Sequence, residues 1–317
     1  MSNYKTVFFT LGILLIILGV AMIVPVVFQL IYNEFDSTFI TSGIITITFG
    51  ILFFLSNIDH LKLINTQQAF LLTALSWLSI ATFGSLPFFF SGLNLSITDS
   101  FFESMSGITT TGATILNNIE SSPKGILVWR SMLQWLGGIG VILMAITLMP
   151  IMNIGGMQLL KISAYDTSEK ILPKSKEISK TLITVYISLT FLCALFYKIF
   201  GMNTFDSLTH SMTTIATGGF SNYDQSIGYF NNAYIEIVSI IFILLGSIPF
   251  ILYIKFISDD KKIIFKDEQV KLFFKLTLIS ILVLFVYLII VNNSIFEIHL
   301  RSVIFNVVSI LTGTGYV

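Results

Sequence analysis

Thr110-Thr111-Gly112, Thr217-Gly218-Gly219 and Gly313-Thr314-Gly315 close three versions of one short loop, each set between apolar stretches. The triplets offer hydroxyls and backbone carbonyls but no carboxylate, imidazole or thiol. Thr/Gly-rich backbone at membrane depth is tolerated only where it is buried in protein or lines a water-filled cavity. Rings of backbone carbonyls can replace the hydration shell of a cation. Glycine permits positive φ without a Cβ filling the path, and threonine hydroxyls can anchor the loop or line it. The expected chemistry is binding of a dehydrated monovalent cation by carbonyls that face one shared axis. A divalent site built from acid rings is disfavoured, because no acid lies in the loops.

Short semi-polar runs near 98–109, 205–215 and 297–310 lead into these loops. At about 12 residues they cannot cross a bilayer, but they can dip in and return. Thr98-Asp99 and Thr204 with Asp206 read as the caps of the first two, and Glu297 and Ser302 lie near the start of the third. The C-terminus of such a helix points inward and carries partial negative charge, roughly half an elementary charge, which gathers cations. Longer runs near 7–31, 38–57, 67–91, 125–152, 179–200, 231–257 and 271–292 have spanning length. The first two triplet segments align without a gap, sharing Asp99/Asp206, Ser100/Ser207, Ser104/Ser211, Met105/Met212, Ile108/Ile215, Thr110/Thr217 and Gly112/Gly219. The third matches the first at Phe305, Ser309, Thr312, Thr314 and Gly315. The closing glycines recur at roughly 100 residues, as in a tandem array. The expected fold is an all-α membrane protein. Its parts are a leading two-helix segment (1–62), a first pore repeat (63–160), a second (161–262), and a third (263–317) that stops after its loop.

The chain is 55% hydrophobic and 11% charged, with mean hydropathy +0.89, which marks a polytopic membrane protein. Net charge is zero, so nothing favours nucleic acid. Clustered acid/base groups, a nucleophile motif and metal-ligand spacing are all lacking, which argues against an enzyme and a transition-metal site. Cys193 lies in an apolar run and reads as a small buried hydrophobe. The first apolar run is too long for a signal-peptide core. With the N-terminus inside, all of the 17 Lys and Arg except Lys124, Arg130, Lys198 and Arg301 fall on the inner side. That is the asymmetry of the positive-inside rule, and it puts the three loops at the outer side.

Three motifs carry a resemblance: Phe101 to Ala113, Thr214 to Phe220, and Thr312 to Tyr316. Trp129 to Gly140, opening the helix after the first loop, adds to it. Together they resemble the Trk/Ktr/HKT superfamily of potassium transporters, and most of all its TrkH branch, which also has two helices ahead of the first repeat. The resemblance implies four membrane–pore–membrane repeats around one pore and inward movement of K⁺, the transported ion, with no covalently bound cofactor. It also implies a homodimer in membrane lipid of the bacterial inner membrane, docked to a cytoplasmic nucleotide-binding regulatory subunit. The sequence stops at Val317, so the inner helix of the third repeat and the fourth repeat are missing from the expected pattern. A fragment, a decayed frame or one part of a split protein would each give this, and a truncated non-transporting membrane fragment or an assembly subunit is the alternative function.

Glu103 and His210 occupy equivalent places in the first two short runs and read as pairing with neighbours behind the loops or facing water, rather than tuning the mouth. His299 and Arg301 read as interfacial. Gly137-Gly138 with Gly140, and Gly246-Ser247 with Pro249, read as small residues at close helix contacts in preference to hinges. Asp259 to Lys262 reads as a solvated inner loop, and Trp77, Trp129 and Trp135 as packing and interface anchors.

Overall fold

The computed structural model describes residues 4–58, 65–152, 168–258, 261–292 and 300–317, and these form helices and turns without strands. Among them, Lys5–Ile31, Thr38–Leu55, Thr66–Phe90, Lys124–Met144, Glu177–Ile199 and Glu268–Val291 are long and apolar enough to cross a membrane. Ala233–Ser247 and Phe250–Ile257 make a further crossing if taken as one span, bent by 85°. The all-α membrane class is as expected. Contacts divide the chain into two compact units, Met1–Thr109 with Ala113–Glu169, and Thr110–Gly112 with Lys170–Val317. The expected repeat junctions at 62–63 and 160–161 lie outside the described residues.

The first unit holds α1 (Lys5–Ala21), α2 (Ile23–Ile31), α3 (Thr38–Leu55), α4 (Thr66–Gly84), α5 (Leu86–Phe90), α6 (Ile97–Ile108) and α7 (Lys124–Met152). The apolar runs 7–31 and 67–91 each divide, at Met22 and Ser85, just before Pro25 and Pro87. Both prolines fall in the first turn of the following helix, where the missing N–H has no intrahelical partner to lose. Helices α1 and α3 run close together where Gly19 meets the Gly43 carbonyl, a small-residue contact suited to lipid surroundings. The short α6 packs between α4 and α7. Trp129 of α7 donates its indole N–H to the Gly84 carbonyl at 2.9 Å and is fully buried, an anchor in packing.

The second unit holds α8 (Ser168–Ile199), α9 (Thr204–Ile215), α10 (Ala233–Ser247), α11 (Phe250–Ser258), α12 (Ile263–Lys266), α13 (Glu268–Asn292) and α14 (Leu300–Leu311). Pro249 holds Ile248 in extended backbone (ψ 134°) and so ends α10. The run expected as one segment over 231–257 is therefore two helices. Tyr253 donates to the freed Leu245 carbonyl at 2.7 Å. The close-contact reading of Gly246 holds, since a Cβ there would lie 2.8 Å from the Ile215 carbonyl oxygen, and the stretch to Pro249 is a sharp corner as well. The short α9 packs on α10, and α14 on α10 and α13. Cys193 is buried in α8, as expected.

Candidate functional site

Three short helices deliver the three triplets. The N-cap of α6 is Ser96, whose hydroxyl accepts from the Asp99 N–H while Asp99 reaches back to the Ser96 N–H. The N-cap of α9 is Asn203, which accepts from the Asp206 N–H. The caps therefore lie just ahead of Thr98 and Thr204, because the capping residue must be extended, and Ser96 and Asn203 are. The aspartates sit three residues in, where the helix dipole favours an acid. In the third helix Ser302 lies within α14, and Glu297 falls outside the described residues.

Past each helix the backbone takes the same alternating course. Thr110, Thr217 and Gly313 open the triplets at φ 55°, 50° and 76°, and Gly112, Gly219 and Gly315 close them at 78°, 77° and 79°. The middle residues Thr111, Gly218 and Thr314 stay outside that left-handed region. The three triplets belong to one unit and two of their junctions touch. A Cβ on Gly112 would lie 2.1 Å from the Gly218 oxygen, and one on Gly219 would lie 1.7 Å from the Thr314 oxygen. In both cases the closing glycine of one triplet abuts the central carbonyl of the next. Around Gly313 and Gly315 a Cβ would meet nothing within 4 Å. All nine residues expected at the site thus belong to one cluster of loops.

Buried side chains hold the residues that flank the triplets in each unit. In the first unit the Ser106 hydroxyl donates to the Ala113 carbonyl at 2.5 Å. Glu103 is fully buried and ion-paired with Arg130 at 2.7 Å, and Thr114 and the Ile115 N–H bond to its carboxylate. In the second unit His210 sits with Nδ1 2.9 Å from the Asp206 carbonyl and Nε2 3.0 Å from the Ser221 hydroxyl. A carbonyl can only accept, so Nδ1 is the donor. Of the two expected alternatives, Glu103 and His210 therefore pair with neighbours and do not face water. Arg130, expected near the outer face, is 1% exposed. Its signal in the sequence was a lone cation inside an apolar run, which calls for an internal partner. Arg301 pairs with Glu236 at 2.6 Å. His299, Asp259 and Asp260 lie outside the described residues, and Lys261 and Lys262 are exposed.

Tyr316, missed as a site residue, is the hub of the second unit. Its hydroxyl meets Thr213 at 2.5 Å, Thr214 at 3.2 Å and the His210 carbonyl at 3.2 Å. Thr214 continues to Tyr197 at 2.8 Å, and Tyr197 to Ser239 at 2.9 Å. The Tyr316 carbonyl accepts from Ser309 at 2.7 Å, the counterpart of Ser106 on Ala113. Asp206 takes bonds from Asn203, Asn222 and Tyr223 at 2.6–2.7 Å. Burial and the Asp206 carboxylate hold the Tyr223 phenol above the ordinary tyrosine value. Within each unit, Gly137 of α7 packs against the Ile108 carbonyl and Gly246 of α10 against the Ile215 carbonyl, the last residues of α6 and α9.

Known proteins supply the comparison. The family model TrkH, described as cation transport protein, matches residues 36–317. The Trk system potassium uptake protein TrkI of Halomonas elongata is 37% identical over 308 residues, covering 96% of this chain and 62% of that protein. The Trk system potassium uptake protein TrkH of Escherichia coli K12 is 35% identical over 323 residues, covering 99% of this chain and 66% of that protein. The crystal structure of the potassium transporter TrkH from Vibrio parahaemolyticus superposes with a TM-score of 0.87 at 32% identity, over 98% of this chain and 64% of that one. The chain thus spans 62% and 66% of the length of these two curated relatives.

Proposed function

The chain belongs to the TrkH family of cation transport proteins, and from that premise we propose that it lines a path for K⁺ into the cell. Thr110–Gly112, Thr217–Gly219 and Gly313–Gly315 supply the carbonyls that take over from water around the ion. The observation that carries this reading is the gathering of three Thr/Gly triplets with one alternating backbone course, closing glycine against central carbonyl. Alternation of backbone hand turns successive carbonyls toward one side. The missing Cβ atoms let the strands come close enough to share an ion.

The chain works as the membrane subunit of a multi-component uptake system, in keeping with the "Trk system" in its relatives' names. The leading helices and the tandem repeats are its parts. It sits as a homodimer in the bacterial inner membrane with the N-terminus inside. Basic inner segments such as Lys255 to Lys275 face a cytoplasmic nucleotide-binding regulatory subunit. The test is ion binding and flux. The purified chain should be stabilised against heat by K⁺ more than by Na⁺, and vesicles containing its complete system should take up Rb⁺ in competition with K⁺. Equal stabilisation by the two ions, together with uptake unaffected by K⁺, would remove the reading.

A further inference from the structure

The residues that leave the first triplet are held by charge. Thr114 lies two positions past Gly112. Its hydroxyl sits 3.0 Å from both carboxylate oxygens of Glu103 and donates to them. It accepts from Arg130 Nη2 at 3.1 Å and from the Leu116 N–H at 3.2 Å. The Ile115 N–H adds a bond to Glu103 at 3.2 Å, and Arg130 Nε closes the ion pair at 2.7 Å. The carboxylate and guanidinium are 0% and 1% exposed, so water does not compete for them.

The second triplet is held at the same two places by other chemistry. Ser221, two positions past Gly219, bonds to His210 at 3.0 Å and accepts from the Tyr223 N–H at 3.1 Å. The hydroxyl two past the glycine, its turn to the N–H two further on, and its tie to the helix residue nine before the glycine all recur. What changes is carboxylate with guanidinium against imidazole. The function common to the two copies is therefore the tie, and the ion pair is how the first copy makes it.

We propose that Glu103, Thr114 and Arg130 are positioning residues for the first Thr/Gly triplet, with the Thr114 hydroxyl as the joint. By holding Ala113 to Leu116, they fix the residues bonded to Gly112 and so set how sharply that triplet discriminates K⁺ from Na⁺. This rests on the reading of the triplets as a K⁺ path. The ion pair itself does not touch the cation. It acts by denying the loop the freedom to collapse around a smaller ion.

Thr114→Val keeps the branched shape and removes the hydroxyl, whereas Thr114→Ser keeps the hydroxyl. Two readouts are taken on the purified chain: the ratio of K⁺ to Na⁺ affinity from ion-dependent thermal stabilisation, and hydrogen exchange of the Ala113–Leu116 amides. The valine variant should lose about tenfold in the ratio and exchange faster, since hydrogen bonds to charged groups are the strong ones. The serine variant should keep both. Arg130→Lys retains a cation beside Glu103 but lacks the second nitrogen that reaches Thr114. It should move both readouts in the valine direction, and it decides the matter if the valine variant cannot be purified. Wild-type ratio and exchange in the valine or lysine variant would overturn the clamp. A wild-type chain with no K⁺ preference would instead remove the transport reading, and the exchange data alone would then decide whether the clamp holds the loop.

Discussion

Alanine at Gly112 puts a Cβ 2.1 Å from the Gly218 carbonyl oxygen, 3.3 Å from its carbon and 3.6 Å from the Thr314 oxygen. The obstacle is backbone, so no side chain can rotate away. Ordinary contact begins near 3.4 Å, which means the two triplets must part by more than an ångström. Two costs add. Holding alanine at φ 78° costs about 1–2 kcal/mol. Overpacking against a neighbour that cannot yield costs about 1–3 kcal/mol more. Gly92 separates the two costs, because it has φ 70° and a Cβ there would meet nothing within 4 Å. Gly92→Ala should lower stability by about 1–2 kcal/mol and leave the stabilisation conferred by K⁺ intact. Gly112→Ala should lose about 2–5 kcal/mol and abolish the K⁺ increment, because the carbonyls no longer surround one point. The assay is thermal unfolding in detergent across a K⁺ series, where a bound ion at free concentration c stabilises by RT ln(1 + c/Kd). A Gly112→Ala protein that keeps the wild-type K⁺ increment would refute the assignment of this triplet to the ion.

Other substitutions test the supporting parts. Gly137→Ala drives a Cβ to 1.9 Å from the Ile108 carbonyl, whereas Gly246→Ala reaches only 2.8 Å from Ile215, so thermal melts should show the first as clearly the more damaging. Arg130→Ala leaves the buried Glu103 carboxylate without its cation and should cost about 3–5 kcal/mol, read as lost yield and a lower melting temperature. Tyr316→Phe removes a hydroxyl shared by Thr213, Thr214 and the His210 carbonyl, and should cost about 1–3 kcal/mol in the same assay.

The spans were legible in the sequence because apolar length is a one-dimensional property. The triplets were legible because Thr and Gly at membrane depth have few other uses. Two things escaped. Breaks at Ser85 and Ile248 turn on the local geometry around Pro87 and Pro249, and a window of hydropathy averages across them. The Tyr316 network joins residues far apart in the chain, Thr213 and Tyr316 among them, and no local pattern encodes such a pairing. Glu103 and His210 lay between these cases. Their equivalent positions were visible, but the partners Arg130 and Ser221 became specific only in three dimensions.

The first position of each triplet explains why so much hydrogen bonding is spent behind the loops. Thr110 and Thr217 hold left-handed backbone at φ 55° and 50°, which costs a β-branched residue about 1–2 kcal/mol, while the third triplet uses Gly313. Strain of this kind persists only where the surroundings over-determine it. The second triplet meets that requirement directly, with the Gly218 N–H on the Thr213 carbonyl at 2.9 Å and Thr213 in turn on Tyr316. Beyond the first triplet the chain is pinned by Ser106 and by the Glu103–Arg130 pair. Relaxing those ties would let the threonines return to right-handed backbone, and on the proposed K⁺ path their carbonyls would then turn away from the ion. The buried polar groups thus stabilise one arrangement of the loops over its relaxed alternatives, and on the proposed K⁺ path that preference is what a cage needs to favour one dehydrated ion size over another.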